Sequence, residues 1–183
     1  MNKTLRTKIL EEATDLFMDQ GFLATSTHQI AKNLGVTQPA IYHHFPNKEA
    51  LYIEVLREFS SPVRNKLVNI MAQSESPKQA LFEMSSHLTQ SHPVNFHVMM
   101  DDMNKHLSEK AFGDIFRIYY ETYFRSFEEV FTLLEDDLSP NFSLNLVVNH
   151  FLRGLSSYII NDPQDMLDVN TFVTLFLEGT LKR

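Results

Sequence analysis

Cysteine is absent from the 183 residues, and only 5 glycines and 7 prolines interrupt them. Without a thiol, neither a disulfide framework nor a thiolate zinc site can form, which suits a reducing cytoplasm. Long apolar runs are missing as well. No stretch approaches the roughly 18 residues of a membrane span, and the polar segment from Met1 to Lys8 lacks the apolar region of a signal peptide, so a soluble cytoplasmic protein is expected. Basic charge is scarce too, with a formal net charge of -7. That balance does not favour phosphate neutralisation, the main source of non-specific affinity for nucleic acid. The acid is unevenly distributed: residues 1–50 hold five basic and five acidic side chains, so the remainder carries the whole excess.

What is present argues for a folded, helical chain. Hydrophobic residues make up 43% of it, with 15 Phe and 8 Met, too many for disorder. The spacing of Ile9, Ala13, Leu16 and Phe17 predicts a first helix that stops at Gly21. Thr25, Ser26 and Thr27 offer caps for a second, whose face of Ile30, Ala31 and Leu34 ends at Gly35. Thr37 can cap a short third helix, about Gln38 to His44, with Pro39 tolerated in its first turn. Asn47, Lys48 and Glu49 open a fourth, with Leu51, Val55, Leu56 and Phe59 on one side and a bend or end near Pro62. Further helices are predicted over about 77–91, 93–106, 109–136, 142–161 and 166–181, with no strand-like alternation. The fold class expected is all-α.

Two helices joined by a tight glycine turn form a helix-turn-helix, whose second helix can enter the major groove of DNA. Here Ile30, Leu34, Val36 and Ile41 lock the pair inward, while Gln38, Ala40, Tyr42, His43 and His44 face out. Gln38 can pair with adenine, Pro39 and Ala40 can touch a thymine methyl, and Tyr42, His43 and His44 can reach phosphates or sugars. Lys48 can add its charge to a helix N-terminus to hold a phosphate, and Thr25, Ser26 and Thr27 can do the same at the second helix.

The run Ile9-Leu10, Ala13, Leu16-Phe17, Gly21-Phe22, Thr25, Ile30-Ala31, Leu34-Gly35-Val36-Thr37, Ala40-Ile41-Tyr42, His44-Phe45 and Lys48-Glu49 resembles the signature of the TetR family. The match is ordered and without gaps over about a quarter of the chain. It implies that Thr37 to His44 is the recognition helix, that Tyr42 and Lys48 contact phosphates, and that the rest is a ligand-binding and dimerising body. The organisation implied is a helix-turn-helix DNA-binding domain over 1–47 and a ligand-binding and dimerisation domain over 48–183. Two positions depart from the family pattern: Thr27, where an apolar residue is usual, and Pro39, where glycine is common.

Beyond residue 80 the chain carries two other candidate constellations. His87, His92, His97 and His106, with Met84, Met99, Met100, Met103, Asp101 and Asp102, include the residue types that hold zinc or haem. Spacings of five and nine put those histidines on different helix faces and Pro93 interrupts them, so scattered side chains are the plainer reading, and neither a metal nor a cofactor is expected. Phe112, Phe116, Tyr119, Tyr120, Tyr123, Phe124, Phe127 and Phe131 form an apolar stripe, ordinarily core. In a ligand-binding body, Phe116, Tyr119, Tyr120, Tyr123 and Phe127, joined by Met99 and Met103, can wall a pocket for an apolar or aromatic effector.

The last two predicted helices are apolar around much of their circumference, which suggests a homodimer through a four-helix bundle, with Gly154 permitting close approach. The combined expectation is a ligand-responsive repressor that binds a palindromic operator as a homodimer and leaves it when an effector occupies the body. The alternative is a ligand-binding co-regulator of the same fold acting through protein partners, supported by the weakly basic head. No phosphate-cradling glycine loop, nucleophile elbow or paired-carboxylate setting points to an enzyme.

Overall fold

The computed structural model describes residues 3–91, 107–160 and 168–182. Contacts divide the chain into two compact units: residues 1–60 with 93–118, and residues 61–92 with 119–183. The first division falls inside a helix, two residues ahead of Pro62.

In the first unit, α1 (Leu5–Ala24) begins at Thr4, whose side chain accepts the Thr7 amide. Its regular winding breaks at Gly21, where φ is 81° and ψ 175°. Ile9, Leu10, Ala13, Phe17 and Phe22 are its buried residues. Ser26 caps α2 (Thr27–Leu34) by accepting the Gln29 amide. The end of α2 requires glycine, because Gly35 sits in the left-handed region at φ 66°. Its N–H returns to the Lys32 carbonyl while that of Val36 reaches Ala31, so the carbonyls of the last turn are satisfied before the chain reverses.

α3 (Gln38–His44) follows within three residues and contributes Ile41 to the core. Asn47 then starts α4 (Lys48–Gln73), its side chain accepting the Ala50 amide. Leu51, Tyr52, Val55 and Leu56 of α4 are buried, and the Tyr52 ring meets Phe17 edge-on at 4.8 Å and Phe22 at 5.2 Å. Pro62 does not end α4. A proline removes one hydrogen bond, and burial of Leu67 and Ile70 further along the same helix offsets that loss. α6 (Glu109–Tyr119) completes the first unit, its Ala111 and Ile115 buried.

In the second unit, α5 (Pro77–Ser91) packs against α7 (Arg125–Thr132), α8 (Leu144–Ile160) and α9 (Val169–Thr180). The single helix expected over 109–136 is not uniform. A π-helical turn, Tyr120–Phe124, joins α6 to α7, and a 3-10 turn, Glu135–Asp137, follows Thr132. Phe151 of α8 centres the core, its ring 5.1 to 5.4 Å from Phe127, Phe131, Phe172 and Phe176. Gly154 serves a different purpose from the one its sequence position suggests. A Cβ there would lie 2.6 Å from the Phe172 ring, so this chain's own aromatic occupies the slot.

Candidate nucleic-acid interface

The turn between α2 and α3 fixes what α3 presents. Because Ile41 is fully buried and Phe45 nearly so, the residues between and before them point outward: Thr37, Pro39, Tyr42 and His43 are exposed, and Gln38, Ala40 and His44 are half-buried. This is the face expected from the sequence. Its polar groups are organised by a residue beneath them. Thr27, buried in the first turn of α2, accepts a 2.8 Å hydrogen bond from Gln38 Nε2 and shares one of 3.0 Å with the Tyr42 hydroxyl. Gln38 Nε2 also donates to the Tyr42 oxygen at 3.3 Å. The Gln38 amide nitrogen is therefore turned toward Thr27 and Tyr42.

Other expected residues fall into different environments. Ser26 is exposed at the N-terminus of α2, beside orphan backbone amides. Thr25 is buried, its hydroxyl donating to the Leu16 carbonyl at 3.1 Å, so it ties down the end of α1. Thr37 occupies the N-cap position of α3 but makes no side-chain cap bond, contrary to the expectation from its place in the sequence. With Pro39 near the helix start, the first turn has one amide fewer to satisfy, and Thr37 is exposed. The Lys48 ammonium lies 4.2 Å from the centre of the Phe22 ring and 3.5 Å from the Leu23 carbonyl, which sets the start of α4 against the end of α1. Glu49 and Ser108, which the sequence reading did not single out as a pair, meet in two 2.7 Å hydrogen bonds.

The residues expected to hold an effector are less uniform. Phe116 belongs to the first unit and is 50% exposed. In the second, Tyr119 and Tyr120 are half-buried, whereas Tyr123 and Phe127 lie in the core. The Tyr119 and Tyr123 rings are 5.4 Å apart at the π-helical turn. Burial raises the pKa of both hydroxyls, against the nearby Arg153 charge at Tyr119 and reinforced by Tyr119 at Tyr123, so both stay protonated hydrogen-bonding groups. Met99 and Met103 lie outside the described residues, as do His92, His97, His106, Met100, Asp101 and Asp102. Among the described residues no group of three metal-ligating side chains converges, Met84 is core, and His87 is half-buried. A groove of about 520 Å³ in the second unit is lined by Phe82, Leu177, Leu181, Lys78, Lys182 and Glu178, none of them in the aromatic stripe. No helix among the described residues is long and apolar enough to cross a membrane.

A buried-face pair of helices, a left-handed glycine turn and an outward polar helix define a protein of the helix-turn-helix class. Residues 9–55 match the family model described as bacterial regulatory proteins, tetR family. This segment, about a quarter of the chain, is similar to that family. Over 77 residues it is 38% identical to the HTH-type transcriptional regulator LmrA of Bacillus subtilis, a match covering 42% of this chain and 41% of LmrA. Over 76 residues it is 34% identical to the HTH-type transcriptional repressor KstR2 of Mycolicibacterium smegmatis, covering 42% of this chain and 37% of that repressor. The chain thus spans about two-fifths of the length of each of these curated relatives. Two solved structures share the fold across nearly the whole chain. The ketosteroid transcriptional regulator KstR2 of Mycobacterium tuberculosis has a TM-score of 0.65 at 22% identity, covering 100% of this chain and 98% of that one. The fatty acid degradation regulator FadR from Bacillus halodurans has a TM-score of 0.73 at 16% identity, covering 97% and 95%.

Proposed function

We propose that this protein is a ligand-responsive transcriptional repressor that binds a palindromic operator as a homodimer. The observation that carries the reading is the outward face of α3, where Gln38, Tyr42 and His43 stand clear of a core closed by Ile41. In this reading Gln38, Pro39 and Ala40 meet base edges, while Ser26, Thr37, Tyr42, His43, His44 and Lys48 contact phosphate and sugar. Thr25 and Thr27 act through the residues that they hold.

An effector bound in the second unit shifts the balance toward a form whose heads no longer match two successive major grooves, and so lowers operator affinity. The neighbouring rings of Tyr119 and Tyr123, each carrying a hydroxyl, suit an apolar or aromatic compound with a polar group. KstR2 and FadR, named for ketosteroid and fatty acid regulation, support an effector of that apolar kind. A gel-shift on the DNA upstream of the chain's own gene tests the reading. Binding is expected to be sequence-selective and to fall steeply with salt, and replacing Tyr42 and Lys48 together by alanine is expected to abolish it. Selective binding left intact in that double variant would overturn the assignment of α3 and α4 as the DNA-contacting face.

A further inference from the structure

Lys48 and Glu49 are consecutive residues in the first turn of α4, so their side chains leave the helix about 100° apart. Lys48 leans on the end of α1. Glu49 reaches the other way, to Ser108, which lies 59 residues on and immediately precedes α6. Its two oxygens are both used: Oε1 accepts the Ser108 backbone N–H and Oε2 accepts the Ser108 hydroxyl, each at 2.7 Å. Ser108 in turn accepts the Ala111 amide on Oγ at 3.3 Å and the Phe112 amide on its carbonyl at 2.9 Å. One serine therefore caps α6 and latches it to the first turn of α4.

Among the described residues, neither local capping nor ion pairing accounts for the carboxylate. Asn47 already caps α4 through the Ala50 amide. The neighbouring Glu54 is paired with Arg6 at 2.6 Å and Arg57 at 3.2 Å, but among the described residues no cation lies within ion-pair distance of Glu49. A negative charge one residue from a phosphate-contacting lysine opposes DNA binding electrostatically. Its compensation here is geometric: two charge-assisted hydrogen bonds to a rigid helix start, which fix the turn that carries Lys48.

We propose that Glu49 is a positioning residue for the DNA contact of Lys48, acting through its double hydrogen bond to Ser108. This rests on the DNA-binding reading above, and the two can fail separately. The test uses the full chain and a duplex that the wild-type protein enriches from a random pool, titrated at several KCl concentrations. Replacing Lys48 by Ala removes one phosphate contact and should flatten the log–log salt slope by about one. Glu49→Ala adds a positive increment of charge, so electrostatics alone predicts tighter binding. The latch predicts the reverse: about five- to tenfold weaker binding, with the salt slope flattened as in Lys48→Ala.

Ser108→Ala should reproduce that loss without any change of charge, Ser108→Thr should bind like wild type, and Glu49→Gln, which keeps one acceptor, should fall between. In the Lys48→Ala background, Glu49→Ala should cost little more, since both changes remove the same contact. Should Glu49→Ala fail to fold by circular dichroism, the Ser108 pair decides the matter. Wild-type or tighter binding by Glu49→Ala and Ser108→Ala, or losses that add to that of Lys48→Ala, would overturn the proposal while leaving DNA binding intact. A wild-type chain that enriches no sequence overturns the DNA-binding reading itself.

Discussion

Thr27 joins more of the outward face of α3 than any other side chain described in α2. It is 4% exposed, yet its hydroxyl meets both Gln38 and Tyr42 across the turn. An apolar residue, usual at this position in the family that the sequence resembles, fills the same space but leaves both outer groups without an inner partner. Threonine instead holds the Gln38 amide in one orientation, which in the proposed reading lowers the ordering cost of base contact. Replacing Thr27 by the near-isosteric Val should cost about 1 kcal/mol of stability, the usual worth of such a bond when the partners regain water. The larger effect should fall on selectivity: the base pair facing Gln38 should be less strictly required, while the salt slope stays unchanged because no phosphate contact is lost. Enrichment of operator variants from a pool randomised at single positions reads this directly, and an unchanged preference at every position would refute it.

At the level of elements, the local signals were strong where one glycine or one capping group decides a boundary. Ser26, Gly35 and Asn47 begin or end helices where the sequence suggests, because backbone geometry there depends on one residue, whereas Gly21, expected to stop α1, breaks its winding and the helix runs on to Ala24. The outward set on α3 was legible for the same reason, since burial of Ile41 fixes the rotation of a seven-residue helix. The joint between Glu49 and Ser108 was not legible, because nothing local relates residues 59 apart. The π-helical turn was equally hidden in an aromatic stripe that reads as regular α-helix.

Gly154 shows the same limit in the packing of α8 and α9. Its missing side chain admits Phe172, whose ring is held by Phe151 at 5.4 Å, Tyr158 at 5.2 Å and Phe176 at 6.0 Å. Two effects compete in Gly154→Ala. Alanine gains about 1 kcal/mol of helix propensity, but a Cβ 2.6 Å from a ring fixed on three sides forces overpacking that costs about 1–3 kcal/mol. Overpacking should win, lowering the melting temperature by a few degrees. Adding Phe172→Leu should recover much of the loss. A rise in melting temperature for the single variant would mean that the ring moves aside freely.

For the whole molecule, the proposed function makes the decisive quantity how many heads meet DNA at once. The last two helices still expose apolar side chains after the chain has packed its own core: Leu146 is 42% exposed on α8 and Leu175 54% exposed on α9. A second copy bringing the same two helices would cover this surface by twofold symmetry, since a residue patch that is self-complementary closes a dimer without leaving a free end. The functional consequence is multiplicative. Once one head binds, the other is presented to the neighbouring half-site at an effective concentration in the millimolar range, which raises affinity by roughly 10²-fold or more. Replacing Leu146 and Leu175 together by Glu places four like charges in a face meant to exclude water. The variant should therefore have half the wild-type mass in light scattering. It should keep its helical circular dichroism, because neither residue is in the core of the single chain. Its operator affinity should fall by about 10²-fold, and binding to an isolated half-site should be unchanged. Dimeric mass in the variant would exclude these two residues from the interface, and a monomer with full operator affinity would remove the need for two heads.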